Sequence, residues 1–138
     1  MIILSDIDLA DFFPTGVGFF PDTDYACPTR SWLLGPFAKY YKEMCVALGT
    51  TKWTTKNDCD DFAALYRLLA HQCFFIDNKA DTESIAVGEV WYYPDSGGGH
   101  AINFALIDED TLIFIEPQTC EEVQLSKSEI KSIAYARA

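Results

Sequence analysis

The stretch Asn57-Asp58-Cys59-Asp60-Asp61-Phe62-Ala63-Ala64-Leu65-Tyr66 has the pattern of the start of a buried helix. Asn57 or Asp58 can cap this helix, because a short side-chain oxygen accepts an amide proton from the first turn. Apolar residues then recur at the spacing of one helix face, at Phe62, Leu65, Leu68, Leu69 and Cys73. Cys59 falls in the first turn, where free backbone N–H groups and the helix dipole favour a thiolate over a thiol. Cys59 is therefore a candidate nucleophile.

The chain has two histidines that could serve this thiol, His71 and His100. His71 lies on the same predicted helix, about three turns beyond Cys59, and is too far away to reach it. His100 opens the apolar run 100–107, and a second run, 112–115, follows a polar turn and ends at Glu116. These runs predict an antiparallel hairpin that brings His100 and Glu116 to one edge. There a carboxylate orients the imidazole, and the imidazole accepts the thiol proton.

A cysteine at a helix start, a histidine opening a strand and an acid closing the next strand resemble the papain-like and transglutaminase-like cysteine peptidases. Residues 58–63, Asp-Cys-Asp-Asp-Phe-Ala, are similar to the cysteine motif of bacterial transglutaminase-like proteinases. His-Ala-Ile-Asn-Phe at 100–104 and Phe-Ile-Glu-Pro-Gln at 114–118 look closer to the C-terminal protease domain of a mushroom agglutinin, which uses a glutamate as its acid. The resemblance covers about half the chain, and it implies Cys59, His100 and Glu116 as a catalytic triad.

The resemblance also implies supporting residues near the triad. Transglutaminase-like enzymes use an indole at the oxyanion hole, which gives that role to Trp53; a tryptophan that seals the core is an equal alternative. Gln118 is placed either to donate to the oxyanion or to support Glu116. Asn103 and Asp108 are weaker choices for the third member, because Asn103 lies about 10 Å along the predicted strand from His100 and Asp108 belongs to the turn at its far end.

Asp58, Asp60 and Asp61 crowd Cys59, and their charge opposes thiolate formation. A bound cation would relieve this repulsion, and the agglutinin protease is calcium-activated. The resemblance therefore implies calcium at Asp60 and Asp61, although the thiol chemistry itself requires no cofactor. The alternative is a solvated acidic first turn that complements the helix dipole.

The remaining patterns predict helices followed by an antiparallel sheet. An apolar helical face covers 31–48, where Gly35-Pro36 kinks the helix, breaks it or marks its start. Residues 77–81 predict a polar turn, and residues 85–93 predict a strand. These patterns predict one α+β domain over residues 1–138, with N-terminal helices packed on a small antiparallel sheet and the nucleophile at a helix N-terminus. The resemblance implies that this domain is papain-like/transglutaminase-like.

Composition and charge restrict the class of partner. The 138 residues are 49% hydrophobic and 22% charged, which is typical of a globular chain. The net charge of −11 argues against nucleic acid and against an anionic membrane surface. Five cysteines without metal-binding spacing favour buried thiols in a reducing cytoplasm, and we see no signal peptide or membrane span. The oligomeric state stays open.

These observations predict a cytoplasmic cysteine-dependent hydrolase, a peptidase or amidase, acting on a protein or peptide substrate through a thioester. Transamidation is not separated from hydrolysis. The alternative is a catalytically inactive binding module of the same fold, such as an acidic phage-type inhibitor of a host protein. A structural domain without a site is a third interpretation.

Overall fold

The computed structural model describes residues 1–78 and 83–138. The helices in these ranges are α1 (Asp6–Ala10), α2 (Arg30–Trp32), α3 (Ala38–Leu48), α4 (Cys59–Asn78) and α5 (Lys127–Lys131), with a π-helical segment (Leu33–Phe37) between α2 and α3. The strands are β1 (Ile3–Ser5), β2 (Gly18–Phe19), β3 (Asp24–Ala26), β4 (Ser84–Ile85), β5 (Val87–Tyr92), β6 (His100–Leu106), β7 (Leu112–Glu116), β8 (Glu121–Val123) and β9 (Tyr135–Arg137).

The strands form a three-stranded sheet in the order β1-β3-β4 and a six-stranded sheet in the order β2-β9-β5-β6-β7-β8. Each sheet contains one parallel pair, β3 with β4 and β2 with β9. The prediction of helices packed on a small antiparallel sheet was therefore wrong. Strands of two residues, such as β2 and β4, are too short to carry a period-two pattern, so only long-range pairing reveals them.

The predicted hairpin is confirmed. Strands β6 and β7 pair antiparallel, with Asn103 opposite Ile115 and Leu106 opposite Leu112. Strand β6 is buried on both faces, which explains why its sequence is a continuous apolar run. The hairpin carries His100 and Glu116 to the same end of the sheet.

The predicted helix over 31–48 is a composite. It begins at Arg30, becomes π-helical around Gly35-Pro36, and ends at Gly49, which has a left-handed φ of 71°. Proline has no N–H to donate within a helix, and a π-helical turn accommodates that interruption. Of the predicted turn at 77–81, residues 77 and 78 end α4, and residues 79–81 lie outside the described part of the chain.

The large sheet carries a hydrophobic core on each face. Helices α3 and α4 cover one face, with Tyr41, Tyr66 and Phe37 among the largest buried side chains. The N-terminal segment covers the other face through Leu9 and Phe13. Because α4 lies across β5 and β6, its first turn sits over the end of the sheet where β6 begins.

Polar contacts fix α4 to strand β5. Arg67 Nε lies 3.6 Å from Glu89 Oε1, with both side chains largely buried. A ring nitrogen of His71 lies 3.0 Å from the Val87 carbonyl oxygen. Burial lowers the pKa of His71, so the neutral imidazole is favoured in this position. His71 therefore attaches the helix to the sheet, far from Cys59.

The described cysteines are all free thiols, and Cys27, Cys45 and Cys120 are buried. No helix in the described ranges is both long and apolar enough to cross a membrane. The cytoplasmic location and the single-domain organisation stay predictions.

Candidate functional site

A groove of about 300 Å³ opens where the start of α4 meets the end of β5 and the start of β6. We name it the Cys59–His100 groove after the two predicted catalytic residues that line it. The other lining residues are Asp60, Trp91, Tyr92, Tyr93, Gly99, Ala101 and Ala134. The groove thus gathers residues from four separate segments of the chain.

Cys59 is the first residue of α4 and is half-buried. The Phe62 amide donates to the Asp58 carbonyl oxygen at 3.1 Å, which makes Asp58 the residue that opens the helix. The thiol therefore lies at the positive end of a 20-residue helix. A polar or anionic group of a ligand in the groove would experience the same field.

His100 and Glu116 form a direct pair, with His100 Nε2 2.8 Å from Glu116 Oε2. Because a carboxylate only accepts hydrogen bonds, the pair places the ring proton on Nε2 and leaves Nδ1 as an acceptor in the neutral ring. The ring of Tyr92, the cross-strand partner of His100, contacts the imidazole edge-on at a centroid distance of 5.9 Å. The orientation of His100 is thus set from two sides.

The supporting residues predicted from the sequence occupy different positions. The backbone amide of Gln118 donates to Glu116 Oε1 at 3.2 Å, so Gln118 contacts the acid through its main chain. Trp53 is 55% exposed. It is not one of the described residues that line the groove. An indole in that position neither seals the core nor reaches into the groove.

Asn103 and Asp108 lie away from His100. Asn103 is fully buried, and its Nδ2 donates to the Ala63 carbonyl oxygen at 2.8 Å and to the Gly88 carbonyl oxygen at 3.0 Å. It therefore joins α4 to the sheet. Asp108 Oδ1 accepts from the Asp110 amide at 2.8 Å in the β6–β7 turn, at the opposite end of the hairpin.

The acidic first turn of α4 is a cluster of three carboxylates. One oxygen from each of Asp58, Asp60 and Asp61 lies within 4.8 Å of the others. A hydrogen bond with Asp60 is the main cause that raises the pKa of Asp58 to about 6, and burial and the charges of Asp60 and Asp61 add to it. An all-oxygen donor set suits calcium, which takes six to eight oxygens, so water would supply the remainder. Calcium at Asp60 and Asp61 stays a prediction.

We expect the Asp58→Asn variant to be more thermally stable than the wild type above pH 6 and to lose this advantage as the pH falls. A raised carboxyl pKa means that the folded state holds the proton more tightly than the unfolded state. The resulting stabilisation is complete below the ordinary pKa of 3.8 and is lost as the pH rises through about 6. Asparagine caps a helix about as well as aspartate, so the start of α4 is retained.

Thermal melts across this pH range, with calcium and with a chelator, measure the effect. Glu109→Gln, an acid in the distant β6–β7 turn, is the matched control. We expect calcium to raise the melting temperature of the wild type and of the control, and to raise that of Asp58→Asn less, because a neutral amide replaces one of the three clustered carboxylates. A wild-type melting temperature that neither calcium nor the chelator changes would contradict the calcium prediction.

Three aromatic lining residues were missed by sequence reasoning about the site. Trp91 and Tyr93 are 45% and 61% exposed, whereas Tyr92 is buried. The available signal was that Trp91 and Tyr93, two positions apart in the predicted strand, share one face of it. The sequence does not indicate which face borders a groove, since α4 covers one face of the sheet only in part.

Comparisons with known proteins support the fold and nothing finer. No family model matches the chain, and no curated protein matches its sequence. The PSL1a–E64 complex superposes with a TM-score of 0.77 at 19% identity, covering 99% of this chain and 51% of that one. Polyporus squamosus lectin bound to the human-type influenza-binding epitope Neu5Acα2-6Galβ1-4GlcNAc superposes with a TM-score of 0.75 at 17% identity, covering 99% and 50%. The chain spans about half the length of these proteins.

These findings correct the predicted family and enzyme class. One of the two solved neighbours is described as a lectin, and neither sequence comparison supports a papain-like or transglutaminase-like peptidase. The predictions of that family and fold, of a cysteine hydrolase and of a peptide substrate were therefore wrong. The physical reason is that the order of Cys, His and Glu in short motifs predicts only that the three residues lie near one edge of a sheet. Function does not follow from that arrangement alone.

Proposed function

We propose that this chain is a binding module that holds a small polar ligand in the Cys59–His100 groove. The observation that carries the proposal is a concave site with an aromatic rim and a few convergent polar groups, which is the usual make-up of a ligand site. Trp91 and Tyr93 supply the apolar rim, and His100 and Asp60 supply the polar groups.

The polar groups have distinct proposed roles. His100 Nδ1 accepts a hydrogen bond from a ligand hydroxyl, because Glu116 already engages Nε2. Glu116 orients the imidazole, and the Cys59 thiol lies beside the ligand at the start of α4. The same three residues that the sequence singled out are thus proposed as ligand-contacting and ligand-positioning groups.

Carbohydrate is the ligand class that we propose for the groove. Two exposed aromatic rings can stack on the C–H faces of a sugar, and histidine and aspartate can bind its hydroxyls. The neighbouring fold belongs to a lectin, one structure of which is bound to a sialylated trisaccharide. The net charge of −11 and the carboxylates beside Cys59 disfavour an anionic sugar here, so the proposed ligand is neutral.

Titration followed by NMR tests the proposal with three probes: Galβ1-4GlcNAc, the sialylated trisaccharide Neu5Acα2-6Galβ1-4GlcNAc, and E64. We expect the neutral disaccharide to shift the Trp91 indole N–H and the Gly99 amide, and to bind more tightly than the sialylated form. Trp91→Ala should weaken binding by about tenfold, through loss of the stacking face. Tyr40→Ala, which removes an aromatic side chain from a separate groove, is the matched control.

Two outcomes would overturn the proposal. One is the absence of any shift at the groove with all three probes. The other is turnover: if the wild type cleaves a glycan or a peptide and Cys59→Ala does not, the site does chemistry and the chain is not a simple binding module. Retained affinity in Cys59→Ala without turnover by the wild type supports binding.

A further inference from the structure

The segment that joins β5 to β6, residues 93–99, lines the groove at its two ends, Tyr93 and Gly99, and has little internal structure. Gly97 and Gly98 have φ values of +100° and +74°, which glycine adopts without strain. One turn hydrogen bond, from the Gly97 amide to the Pro94 carbonyl oxygen at 2.9 Å, lies within it. No heavy atom outside the immediate chain neighbours lies within 4 Å of where a Cβ of Gly97, Gly98 or Gly99 would stand. The segment therefore takes its position from contacts elsewhere.

Asp95 makes those contacts with the start of α5. Ser126 Oγ donates to Asp95 Oδ2 at 2.7 Å, and Ser128 Oγ donates to Asp95 Oδ1 at 2.7 Å. Hydroxyl–carboxylate bonds of this length are among the stronger kinds. The bonds from Ser128 and Ser126 hold the pKa of Asp95 below its ordinary value, which keeps the carboxylate charged. We name this arrangement the Asp95 clamp.

The clamp is attached to a helix start that is itself well defined. Ser126 caps α5 in a capping box with Glu129, whose Oε1 accepts from the Ser126 amide at 2.9 Å. The second oxygen, Glu129 Oε2, accepts from the Asp95 amide at 3.2 Å. Both the side chain and the main chain of Asp95 are therefore bound to the same helix turn.

The chain beyond α5 continues the connection along the groove. Ser132 Oγ accepts from the Tyr93 amide at 2.9 Å, and the Ala134 amide donates to the Trp91 carbonyl oxygen at 2.9 Å. Trp91, Tyr93 and Ala134 all line the groove. One wall of the groove is thus formed by two chain segments hydrogen-bonded side by side, with the Asp95 clamp at their end.

We propose that Asp95 is a positioning residue of the Cys59–His100 groove. By holding the joining segment on α5, it sets the positions of Tyr93 and Gly99 and of the first residue of β6, His100. Without the bonds to Ser126 and Ser128, the segment keeps its backbone bonds at Tyr93, Asp95 and Gly97, but the glycine run that follows Asp95 is held less firmly and the wall moves away from Cys59. The consequence for ligand affinity rests on the proposed function, whereas the consequence for His100 and Cys59 does not.

NMR of the two histidine rings tests the geometric claim in the free protein. We expect Asp95→Ala to shift and broaden the ring resonances of His100 and to leave those of His71 unchanged, because His71 lies between α4 and β5, away from the clamp. A general loss of stability would move both histidines. Unchanged His100 resonances in a folded Asp95→Ala protein would overturn the proposal.

The rate of iodoacetamide alkylation at Cys59, mapped by mass spectrometry, provides a second readout. We expect Asp95→Ala to raise the alkylation rate of Cys59 by at least about threefold, because loss of two surface hydrogen bonds lets the wall of the groove move away from the thiol. Asp95→Asn, which keeps an acceptor, should lie between wild type and Asp95→Ala. Ser128→Ala should have no added effect in the Asp95→Ala background, because the partner is already gone. Asp108→Ala, at the far end of β6, is the matched control, and a response equal to that of Asp95→Ala would refute the clamp.

The two proposals fail separately. If no sugar or E64 binds but Asp95→Ala still changes His100 and Cys59, the binding function fails and the clamp stands. If a probe binds the groove and Asp95→Ala leaves its affinity and both readouts unchanged, the clamp fails and the binding function stands.

Discussion

Replacing Gly88 by alanine is expected to destabilise the protein by about 3 kcal/mol or more, although it adds only one methyl group. Gly88 lies in β5, between β6 and β9 in the large sheet. A Cβ at this position would overlap the Arg137 carbonyl oxygen and the Phe104 ring. Since one obstacle is backbone and the other is a fully buried ring, neither moves without disturbing the sheet. Urea unfolding measures the loss.

Gly99→Ala is the matched control for this prediction. The position has an ordinary φ, and no heavy atom beyond its chain neighbours lies within 4 Å of the added carbon. Its stability should stay within about 0.5 kcal/mol of the wild type. Equal destabilisation by Gly88→Ala and Gly99→Ala would show that general loss of glycine flexibility, rather than close approach of β5 to its neighbours, controls the result.

Replacing Asn103 by alanine is expected to cost about 2–4 kcal/mol. The amide is fully buried in β6 and donates to the carbonyl oxygens of Ala63 in α4 and Gly88 in β5. Alanine removes both donors and leaves a space between helix and sheet, so two buried carbonyl groups lose a partner at once. Because Ala63 is one turn beyond Cys59, alkylation of Cys59 should also become faster. Denaturant unfolding and thiol mapping measure the two effects.

Asn57→Ala provides a comparison with the same chemistry in a half-buried setting. Asn57 Nδ2 also donates to two carbonyl oxygens, those of Thr50 at 3.2 Å and Lys52 at 3.0 Å. Water can replace a donor there, so a loss of about 1 kcal/mol is expected. If the two variants lose equal stability, burial is not what makes Asn103 important.

The parts of the molecule that sequence reasoning predicted are those that depend on local pattern. The helix that begins at Cys59 follows from a capping residue and an apolar face, and the β6–β7 hairpin follows from two apolar runs around a polar turn. The meeting of His100 and Glu116 then follows from antiparallel geometry. Each inference needs contacts only within a helix or between adjacent strands.

The errors arose where distant segments meet. The two-residue strands β2 and β4 have no readable pattern, so the division into two sheets and the parallel pair in each sheet were not predicted. The family assignment failed for a related reason. Short motifs around a cysteine, a histidine and an acid predict the local structure at three positions, and they do not predict the shape of the groove near these positions. Trp53 illustrates this, because its distance from Cys59 along the chain was small and yet its ring is mostly exposed.

By itself, then, the sequence determined the start of α4, the β6–β7 hairpin and the juxtaposition of His100 with Glu116, because periodicity, capping and turn residues act over a few neighbouring positions. Only the tertiary structure decided that Trp91, Tyr93 and Ala134 form a wall of the groove, that Asn103 joins helix to sheet, and that Asp95 is held by Ser126 and Ser128. Some of these contacts join residues that are 30 or more positions apart, and others determine which face of a strand stays exposed. The long-range contacts and the exposed face both depend on how the helices and strands pack, which no local pattern specifies.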